Sequence, residues 1–207
     1  MAVSRRAALV GISSTLVLLN TRAGAQLKPT STVDIGPFYP VRRPRDEDSD
    51  LTLIKGRNRA QGQVIEVTGQ VLDRSGRAVP AARVELWQAN ALGRYDHPGD
   101  ENPAALDPNF QGFGKLKTDR LGRFRFLSIK PGAYPDGEGS PRPPHIHVDA
   151  AGEATRIVTQ MLFPNEPLNA LDDVLKGYDL SRLTAAAAGK STDGAQRFVW
   201  DIVLYNG

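Results

Sequence analysis

The sequence PGAYPDGEGSPRPPHIHV, residues 131–148, decides the fold of this chain. Two adjacent prolines bias its second half toward extended backbone, and the alternation of His145, Ile146 and His147 that follows is typical of a β-strand. Side chains two residues apart in a strand point to the same face, roughly 6–7 Å apart along the strand. His145 and His147 can therefore converge on one ion, while Ile146 points to the opposite face.

Two histidines on one face of a strand permit two interpretations. Alone, they are more often the solvated side of a half-exposed strand than a metal site. The loop before them also carries Tyr134 and Arg142, and Tyr95 follows an apolar segment that runs into a glycine-containing turn. Functional residues concentrate where loops leave a rigid scaffold, so these neighbours favour a metal site.

Tyrosine ligands restrict the kind of metal. A free tyrosine has a pKa of about 10, so a phenolate at neutral pH needs the field of a cation. Phenolate is a hard and strongly donating oxygen, and two phenols with two imidazoles favour a trivalent ion over zinc or ferrous iron. Ferric iron is the obvious candidate. The alternative is that Tyr95 and Tyr134 are ordinary aromatic residues of turns.

His97 is the main rival as a ligand, because it follows Tyr95 by two residues and would share its face in a continued strand. The segment DHPGD, residues 96–100, predicts a turn instead. We therefore expect His97 at the rim of the site. Contact with substrate, or replacement of one ligand, stays open.

Seven motifs occur in order along the chain, which resembles the intradiol ring-cleavage dioxygenases and, among them, the protocatechuate-cleaving branch. The resemblance extends from about Gly36 to the C-terminus. The motifs are GPFYP (36–40), VELWQANALGRYDH (84–97), LDPNFQGFG (106–114), KTDRLGRFRF (117–126), KPGAYP (130–135), RPPHIH (142–147) and TQMLFP (159–164). Together they are far more specific than any one of them alone.

The resemblance implies an all-β fold, a transthyretin-like β-sandwich with short helices and long loops, and one non-haem ferric ion, Fe(III), per chain. The implied metal ligands are Tyr95, Tyr134, His145 and His147. Further implied site residues line the substrate face: Arg142, Gln160, Gly36, Pro37, Phe38 and Tyr39. One position departs from the family pattern, because Asp136 stands where a tryptophan often follows the Tyr-Pro pair.

The activity implied by the resemblance is cleavage of a catechol by dioxygen between its two hydroxylated carbons, which gives a diacid of the cis,cis-muconate type. Tyr134 is implied to leave the iron when the catechol binds, since its loop is rich in glycine and proline. Arg142 would supply a fixed positive charge where the ring becomes electron-rich. The ordinary alternative for an arginine is a surface ion pair.

Composition and charge fit one compact enzyme domain and argue against nucleic acid as a partner. The chain has 207 residues with 40% hydrophobic content, enough for a single core. Three of its 26 basic residues lie in the first 25 positions, which contain no acid, and the remaining 23 balance the 23 acidic residues. No basic stripe with interleaved aromatics remains. Cysteine is absent, so disulfides do not contribute to stability.

The first 25 residues predict a signal peptide of the twin-arginine type. Arg5 and Arg6 precede a short apolar run, and AGA at 23–25 offers a small-residue cleavage site. The run is too short to span a bilayer comfortably. We expect a periplasmic or secreted protein with an arm over 26–60 and a β-sandwich domain over 61–207. Export of the unfolded chain by the general route stays an alternative.

Short apolar or alternating segments bounded by turn residues predict the strands of the sandwich. The predicted strands are 64–72, 84–88, 124–129, 146–150, 157–163 and 198–205, and the predicted helices are 168–176 and 181–188. Trp87 and Trp200 are expected in the core rather than stacked on a substrate.

Other functions stay open at this point. VTGQVLDRSGRAVPAARVEL (67–86) and TDRLGRFRF (118–126) also occur in transthyretin-like modules that only bind or scaffold, and fold does not settle function. A ferrous extradiol enzyme would need a carboxylate as a ligand beside the two histidines, and we expect no acidic residue to take that place. The sequence identifies neither the particular catechol nor whether a homo-oligomer completes the pocket.

Overall fold

Two β-sheets packed face to face form the body of the molecule, which confirms the prediction of an all-β fold. The structure is a computed structural model and describes residues 26–44 and 46–207. The predicted signal peptide over 1–25 lies outside the described residues. The division of the chain into leader, arm and domain therefore stays a prediction.

Strands dominate the regular structure, and the helices are short. The strands are β1 (Val64–Leu72), β2 (Arg83–Trp87), β3 (Phe113–Lys117), β4 (Arg123–Ile129), β5 (Tyr134–Pro135), β6 (Pro141–Arg142), β7 (His145–Ala151), β8 (Arg156–Leu162), β9 (Ala186–Lys190), β10 (Gln196–Val199) and β11 (Ile202–Val203). The helices are two 3₁₀ turns, Pro167–Ala170 and Asp173–Leu175, and α1 (Leu180–Leu183). Within the described ranges, no helix has the length and apolar character needed to cross a bilayer.

The core lies between the two large sheets. In the first sheet β1 pairs antiparallel with β4 and, on its other side, parallel with β10 and then β11, and β9 adjoins β10. The second sheet is antiparallel in the order β3-β2-β7-β8. Side chains from both sheets form one cluster that includes Val67, Leu86, Phe126, Ile146 and Met161. Burial stabilises the fold by about 1.5–3 kcal/mol for each large apolar side chain.

Strand β7 places both of its histidines on the outer face of the second sheet. Ile146 is fully buried in the core between the sheets, so His145 and His147 point to the opposite side, as predicted. The strand register aligns His147 with Trp87 of β2 and with Gln160 of β8. These three residues form a row across the outer face, and the candidate site is built on that row.

Residues 33–39 of the N-terminal segment lie over this outer face. The backbone N–H of Val33 donates to the carbonyl oxygen of Val158 at 2.8 Å. The Tyr39 hydroxyl donates to the buried Glu85 carboxylate at 2.9 Å. These contacts hold residues 33–39 against strands β8 and β2, and Gly36 between them lies beside His147 of β7.

Five of the six predicted strands are confirmed to within one residue at each end, as β1, β2, β4, β7 and β8. The prediction of one continuous strand over 198–205 was wrong, because β10 ends at Val199 and β11 begins at Ile202. At the interruption the Asp201 carboxylate accepts the backbone N–H of Gln70 at 2.9 Å, in place of a backbone partner. Trp87 and Trp200 are buried, as expected.

Both helix predictions were wrong in extent. The segment 168–176 forms two 3₁₀ turns, because the Asp172 side chain caps the second turn and so starts a new element. The helix predicted over 181–188 ends at Leu183, and 186–190 becomes strand β9. Pairing of β9 with β10 overrides the high helix propensity of its alanines.

Gly69 of β1 marks a close approach between β1 and the interruption after β10. A Cβ built at Gly69 would lie 1.9 Å from the carbonyl oxygen of Trp200 and 2.9 Å from Cζ of Phe124. We expect Gly69→Ala to lower the free energy of unfolding by about 2–3 kcal/mol, because the backbone of Trp200 has to move. Urea denaturation measures this loss.

Gly137→Ala is the matched control, because no atom lies within 4 Å of a Cβ built there. We expect its free energy of unfolding to change by less than about 0.5 kcal/mol. Equal stability of the two variants would contradict the close approach at Gly69.

Candidate metal centre

His145 and His147 are buried side by side at the start of β7. The pleat brings their Nε2 atoms to 3.3 Å from each other. Nδ1 of His145 lies 2.7 Å from the carbonyl oxygen of Pro143. A carbonyl oxygen only accepts, so Nδ1 carries the proton and donates. The Nε2 lone pair of neutral His145 is therefore available to a cation, which is the usual arrangement behind a metal-bound histidine.

Tyr95 and Tyr134 reach the histidines from two loops that pack backbone against backbone. Gly93 has a φ of 79°, and a Cβ there would lie 2.3 Å from the carbonyl oxygen of Ala133. A Cβ at Gly132 would lie 2.6 Å from the backbone nitrogen of Gly93. Only glycine permits this approach, and it sets the distance between the two phenols.

Four donor atoms form a continuous cluster: Oη of Tyr95, Oη of Tyr134, Nε2 of His145 and Nε2 of His147. The two phenol oxygens are 3.5 Å apart, Tyr134 Oη is 3.2 Å from Nε2 of His145, and the two Nε2 atoms are 3.3 Å apart. Ligands bound to one ion at about 2.0–2.1 Å, at angles of 90–120°, lie about 2.9–3.6 Å apart. All three separations between neighbouring donors fall within the interval expected for adjacent ligands of one first-row metal ion.

The protein environment makes the imidazoles neutral and opposes charge on the phenols. Desolvation by burial raises the pKa of Tyr95 well above its ordinary value, and the neighbouring phenol adds to the effect. Burial also raises the pKa of Tyr134, although the charge of Arg142 opposes this. For the imidazoles, burial lowers the pKa of His145 to about 3 and that of His147 well below its ordinary value. Phenolate at this place therefore requires a cation between the donors.

The indole of Trp87 stacks on the imidazole of His147. The ring centroids are 4.9 Å apart and the planes differ by 11°. Gly36 of the GPFYP segment is a second close neighbour, since a Cβ there would lie 3.2 Å from Cε1 of His147. Trp87 was expected in the core, and its burial is confirmed, but its ring also restricts the orientation of a candidate ligand.

The guanidinium of Arg142 lies buried beside the donors and is held by two protein groups. Its Nη2 donates to Gln160 Oε1 at 2.9 Å, and its Nε donates to Asp172 Oδ2 at 3.1 Å. The structure thus brings Arg142 and Gln160 together. Arg142 is close enough to the cluster for its charge to lower the pKa of both Tyr134 and His145.

Asp172 is a residue of the site that sequence analysis missed. It lies 30 residues after Arg142, between the two 3₁₀ turns. The sequence shows it only as one of two adjacent aspartates in a predicted helix, and such pairs are too common to indicate a partner.

Strands β5 and β6 form a two-residue ribbon in which Tyr134 and Arg142 are direct partners. The ribbon is closed by Asp136, whose Oδ1 accepts the backbone N–H groups of Glu138 at 2.9 Å and Ser140 at 2.8 Å. Asp136, the position that departs from the family pattern, therefore shapes the turn that joins the two strands.

The four predicted pocket residues of the GPFYP segment take different positions. The Phe38 ring lies over the phenols, with centroids 4.7 Å from Tyr95 and 6.3 Å from Tyr134. Gly36 adjoins His147, as described above. Tyr39 binds Glu85 of the sheet instead, and Pro37 is exposed.

His97 lies in the predicted turn. Its Nδ1 accepts the backbone N–H of Gly99 at 3.0 Å, and its ring meets Phe38 at a centroid distance of 5.7 Å. It touches the outer side of Phe38 and is not joined to the four donors by any hydrogen bond in the described part of the chain.

Among the described residues, acidic side chains do not join the histidines, and Asp149, two residues after His147, binds Arg83 and Arg156 instead. Within 26–44 and 46–207, no three His, Cys, Asp or Glu side chains are grouped as metal ligands. A cavity of about 410 Å³ adjoins one of the four donors, Tyr95, and its walls also include Phe38 and Trp87.

Comparison with known proteins points to one family. The family model described as Dioxygenase matches residues 35–206. The protocatechuate 3,4-dioxygenase beta chain of Burkholderia cepacia is 46% identical over 162 residues, which cover 76% of this chain and 69% of that one. Hydroxyquinol 1,2-dioxygenase of Rhizobium sp. (strain MTP-10005) is 30% identical over 215 residues, which cover 94% of this chain and 69% of that one.

Solved structures share the fold. The dioxygenase domain of a dioxygenase carbohydrate-binding protein fusion from Streptomyces sp. SirexAA-E superimposes with a TM-score of 0.67 at 25% identity, over 87% of this chain and 100% of that chain. The structure of 3-chlorocatechol 1,2-dioxygenase from Rhodococcus opacus 1CP gives a TM-score of 0.69 at 22% identity, over 86% of this chain and 72% of that chain. The second likeness shows the fold alone.

Replacement of Tyr95 tests the donor cluster. We expect Tyr95→Phe to bind iron at least about tenfold more weakly, because an anionic oxygen is lost from the cluster. A phenolate bound to ferric iron absorbs visible light, so the variant should also lose most of the visible band of the iron-loaded protein. Iron content per chain and the absorption spectrum measure both effects.

Tyr205→Phe is the matched control, because the Tyr205 side chain is 56% exposed and lies outside the cluster. Its iron content and spectrum should equal those of the unmodified protein. Unchanged colour and iron content in Tyr95→Phe would refute the assignment of Tyr95.

Proposed function

The chain belongs to the family of intradiol ring-cleaving dioxygenases, and on that premise we propose that it is a non-haem iron(III) enzyme acting on a protocatechuate-like catechol. The reaction would break the bond between the two hydroxylated ring carbons and add one atom of dioxygen to each, which gives a diacid of the cis,cis-muconate type. The observation that carries the proposal is the cluster of two phenol oxygens and two imidazole nitrogens at separations of 3.2 to 3.5 Å.

The four residues of this cluster, Tyr95, Tyr134, His145 and His147, would hold one ferric ion per chain. A bound ferric ion supplies Lewis-acid activation of the catechol and a template that orients it. The two phenolates would offset two of its three positive charges, and such hard anionic donors favour the ferric over the ferrous state. The neutral imidazoles complete the set without adding charge.

Tyr134 is the ligand that we assign to leave when the catechol binds. Its oxygen is carried by the short β5–β6 ribbon, whereas Tyr95 is fixed by a backbone N–H bond to Asp100 at 2.7 Å. Away from a cation, burial keeps the pKa of the Tyr134 phenol above its ordinary value. The departing phenolate would therefore take a proton from one catechol hydroxyl and hold it at Oη.

Arg142 would place a fixed positive charge beside the bound ring. Its guanidinium is held by Gln160 and Asp172 before substrate arrives, so little reorganisation is needed as negative charge develops on the ring. Gln160 would act through this contact, as a wall of the substrate face. Phe38, packed over both phenols, would limit the entry of water.

The identity of the catechol is the most specific part of the proposal. The relatives reported above act, by their names, on protocatechuate and on hydroxyquinol. We propose a substituted catechol of this kind as substrate, with dioxygen as the second reactant. Oxygen consumption with catechol, protocatechuate and hydroxyquinol, together with product spectra, would rank the three.

Loss of a histidine from the cluster tests the proposed function. We expect His147→Ala to lower the kcat of oxygen uptake with the preferred catechol by more than about 100-fold, because a metal ligand is removed. His97→Ala is the control, since His97 lies in a turn outside the donors, and we expect a change of less than about twofold. Oxygen consumption and iron content are measured on both.

Normal turnover by His147→Ala would show that another residue holds the metal. A colourless, iron-free protein that binds catechols without consuming oxygen would instead support the alternative, a transthyretin-like binding or scaffold module.

We also propose that the chain acts outside the cytoplasm, in the periplasm or after secretion, because of the twin arginines and the AGA segment within residues 1–25. We expect the double variant Arg5→Lys, Arg6→Lys to remain in the cytoplasm of a bacterial host that has a twin-arginine pathway. Cell fractionation measures the distribution. Equal export of the double variant and the unmodified protein would contradict export by this route.

A further inference from the structure

Arg142 is a buried cation whose neighbours already satisfy part of its bonding capacity. Its residue exposure is 8%, and a buried cation is costly unless it is paired and hydrogen-bonded. Gln160 engages Nη2, and Asp172 engages Nε. Among the described residues, no group bonds Nη1. The guanidinium is thus held from two directions, and one nitrogen remains for a ligand.

Asp172 supplies the only charge that compensates Arg142 in the described part of the chain. Its side chain is 1% exposed, and its Oδ1 also lies 3.0 Å from Nε of Arg142. The same oxygen accepts the backbone N–H of Val174 at 3.1 Å and so caps the second 3₁₀ turn. The carboxylate is therefore itself fixed by backbone, which makes it a rigid support for the guanidinium.

Two consequences follow for the substrate face. First, the fork of the guanidinium has one allowed orientation, because Nε and Nη2 are bound to groups on different elements. Second, Asp172 offsets part of the charge of Arg142, so this wall of the site is less positive than an unpaired arginine would make it. A negatively charged ring substituent is therefore stabilised less at this wall than it would be beside an unpaired arginine.

We propose that Asp172 is a positioning residue that fixes the guanidinium of Arg142 against the substrate and, by offsetting part of its charge, sets how strongly the site discriminates between anionic and neutral catechols. The inference rests on the proposed function and deepens it. Asp172 acts through Arg142 and need not touch the metal ion or the substrate.

The Asp172→Asn variant removes the charge and keeps the shape of the side chain. With iron content and visible band unchanged, we expect kcat to fall about 10- to 100-fold, because one charged hydrogen bond that orients the guanidinium is lost. We also expect the ratio of kcat/KM for protocatechuate to that for catechol to rise about tenfold, since the charge of Arg142 is no longer partly offset by Asp172. A purely structural role for Asp172 would not change this ratio.

A double-mutant comparison tests whether Asp172 acts through Arg142. In an Arg142→Gln background, Asp172→Asn should change kcat and the substrate ratio by less than about twofold, because the group that it positions is already absent. Glu66→Gln is the matched control for loss of a buried ion pair. Glu66 is 3% exposed and accepts from Arg125 at 2.7 Å and Arg197 at 2.6 Å on the other sheet. The Glu66→Gln variant should have the same ratio of kcat/KM for protocatechuate to that for catechol as the unmodified enzyme.

Asp172→Glu covers the case in which Asp172→Asn does not fold. Glutamate keeps the charge but moves it by one methylene, so we expect a fall in kcat of about tenfold with an unchanged substrate ratio. The proposal is overturned by an unchanged kcat in either variant, by a ratio that moves in Asp172→Glu, or by equal effects of Asp172→Asn with and without Arg142.

Failure of the proposed function has a different signature. In that case the iron-loaded, unmodified protein consumes no oxygen with any of the catechols. The dissociation constants of protocatechuate and catechol, measured from the visible band, would then replace kcat/KM. An unchanged ratio of these constants in Asp172→Asn would still overturn the role of Asp172.

Discussion

The alternation of side chains along β7 is the constraint on which the rest of the structure depends. One strand fills the core with Ile146 and presents His145 and His147 on the opposite face. A shift of register by one residue would bury the imidazoles in the core and expose the isoleucine. Because β7 is paired on both sides, by β2 and β8, the core fixes the position of the histidines. Stability and site geometry therefore depend on the same register.

The donor cluster adds an electrostatic constraint to this geometric one. Four polar groups face one another where burial disfavours both phenolate and imidazolium. A cation at the centre of this arrangement stabilises it, because the cation offsets the desolvation penalty of the buried phenolates and accepts the lone pairs of the imidazoles. The glycine contact between the two tyrosine loops keeps the phenols close enough for this. Packing of the protein therefore holds the four polar groups in position before any ligand is bound.

Much of the fold was predictable because it follows from local rules. The pattern of period two gave five strands to within one residue, and the triplet from His145 to His147 was enough to orient β7. The interruption at Asp201 and strand β9 were not predictable, since both depend on long-range pairing that reverses local preference. The sequence predicts the four donors only together with the family resemblance. Asp172 was missed, because its partner lies 30 residues away and no short motif joins them.

The β5–β6 ribbon joins the tyrosine that we assign to leave the metal with the arginine that stays. The turn between them is made of glycines, a serine and two acidic residues, and its own hydrogen bonds converge on Asp136. The compliance of this turn would govern how readily the phenol swings without disturbing the guanidinium. Substitutions within residues 136–140, by natural drift or by design, would therefore change the turnover rate and leave every donor atom intact.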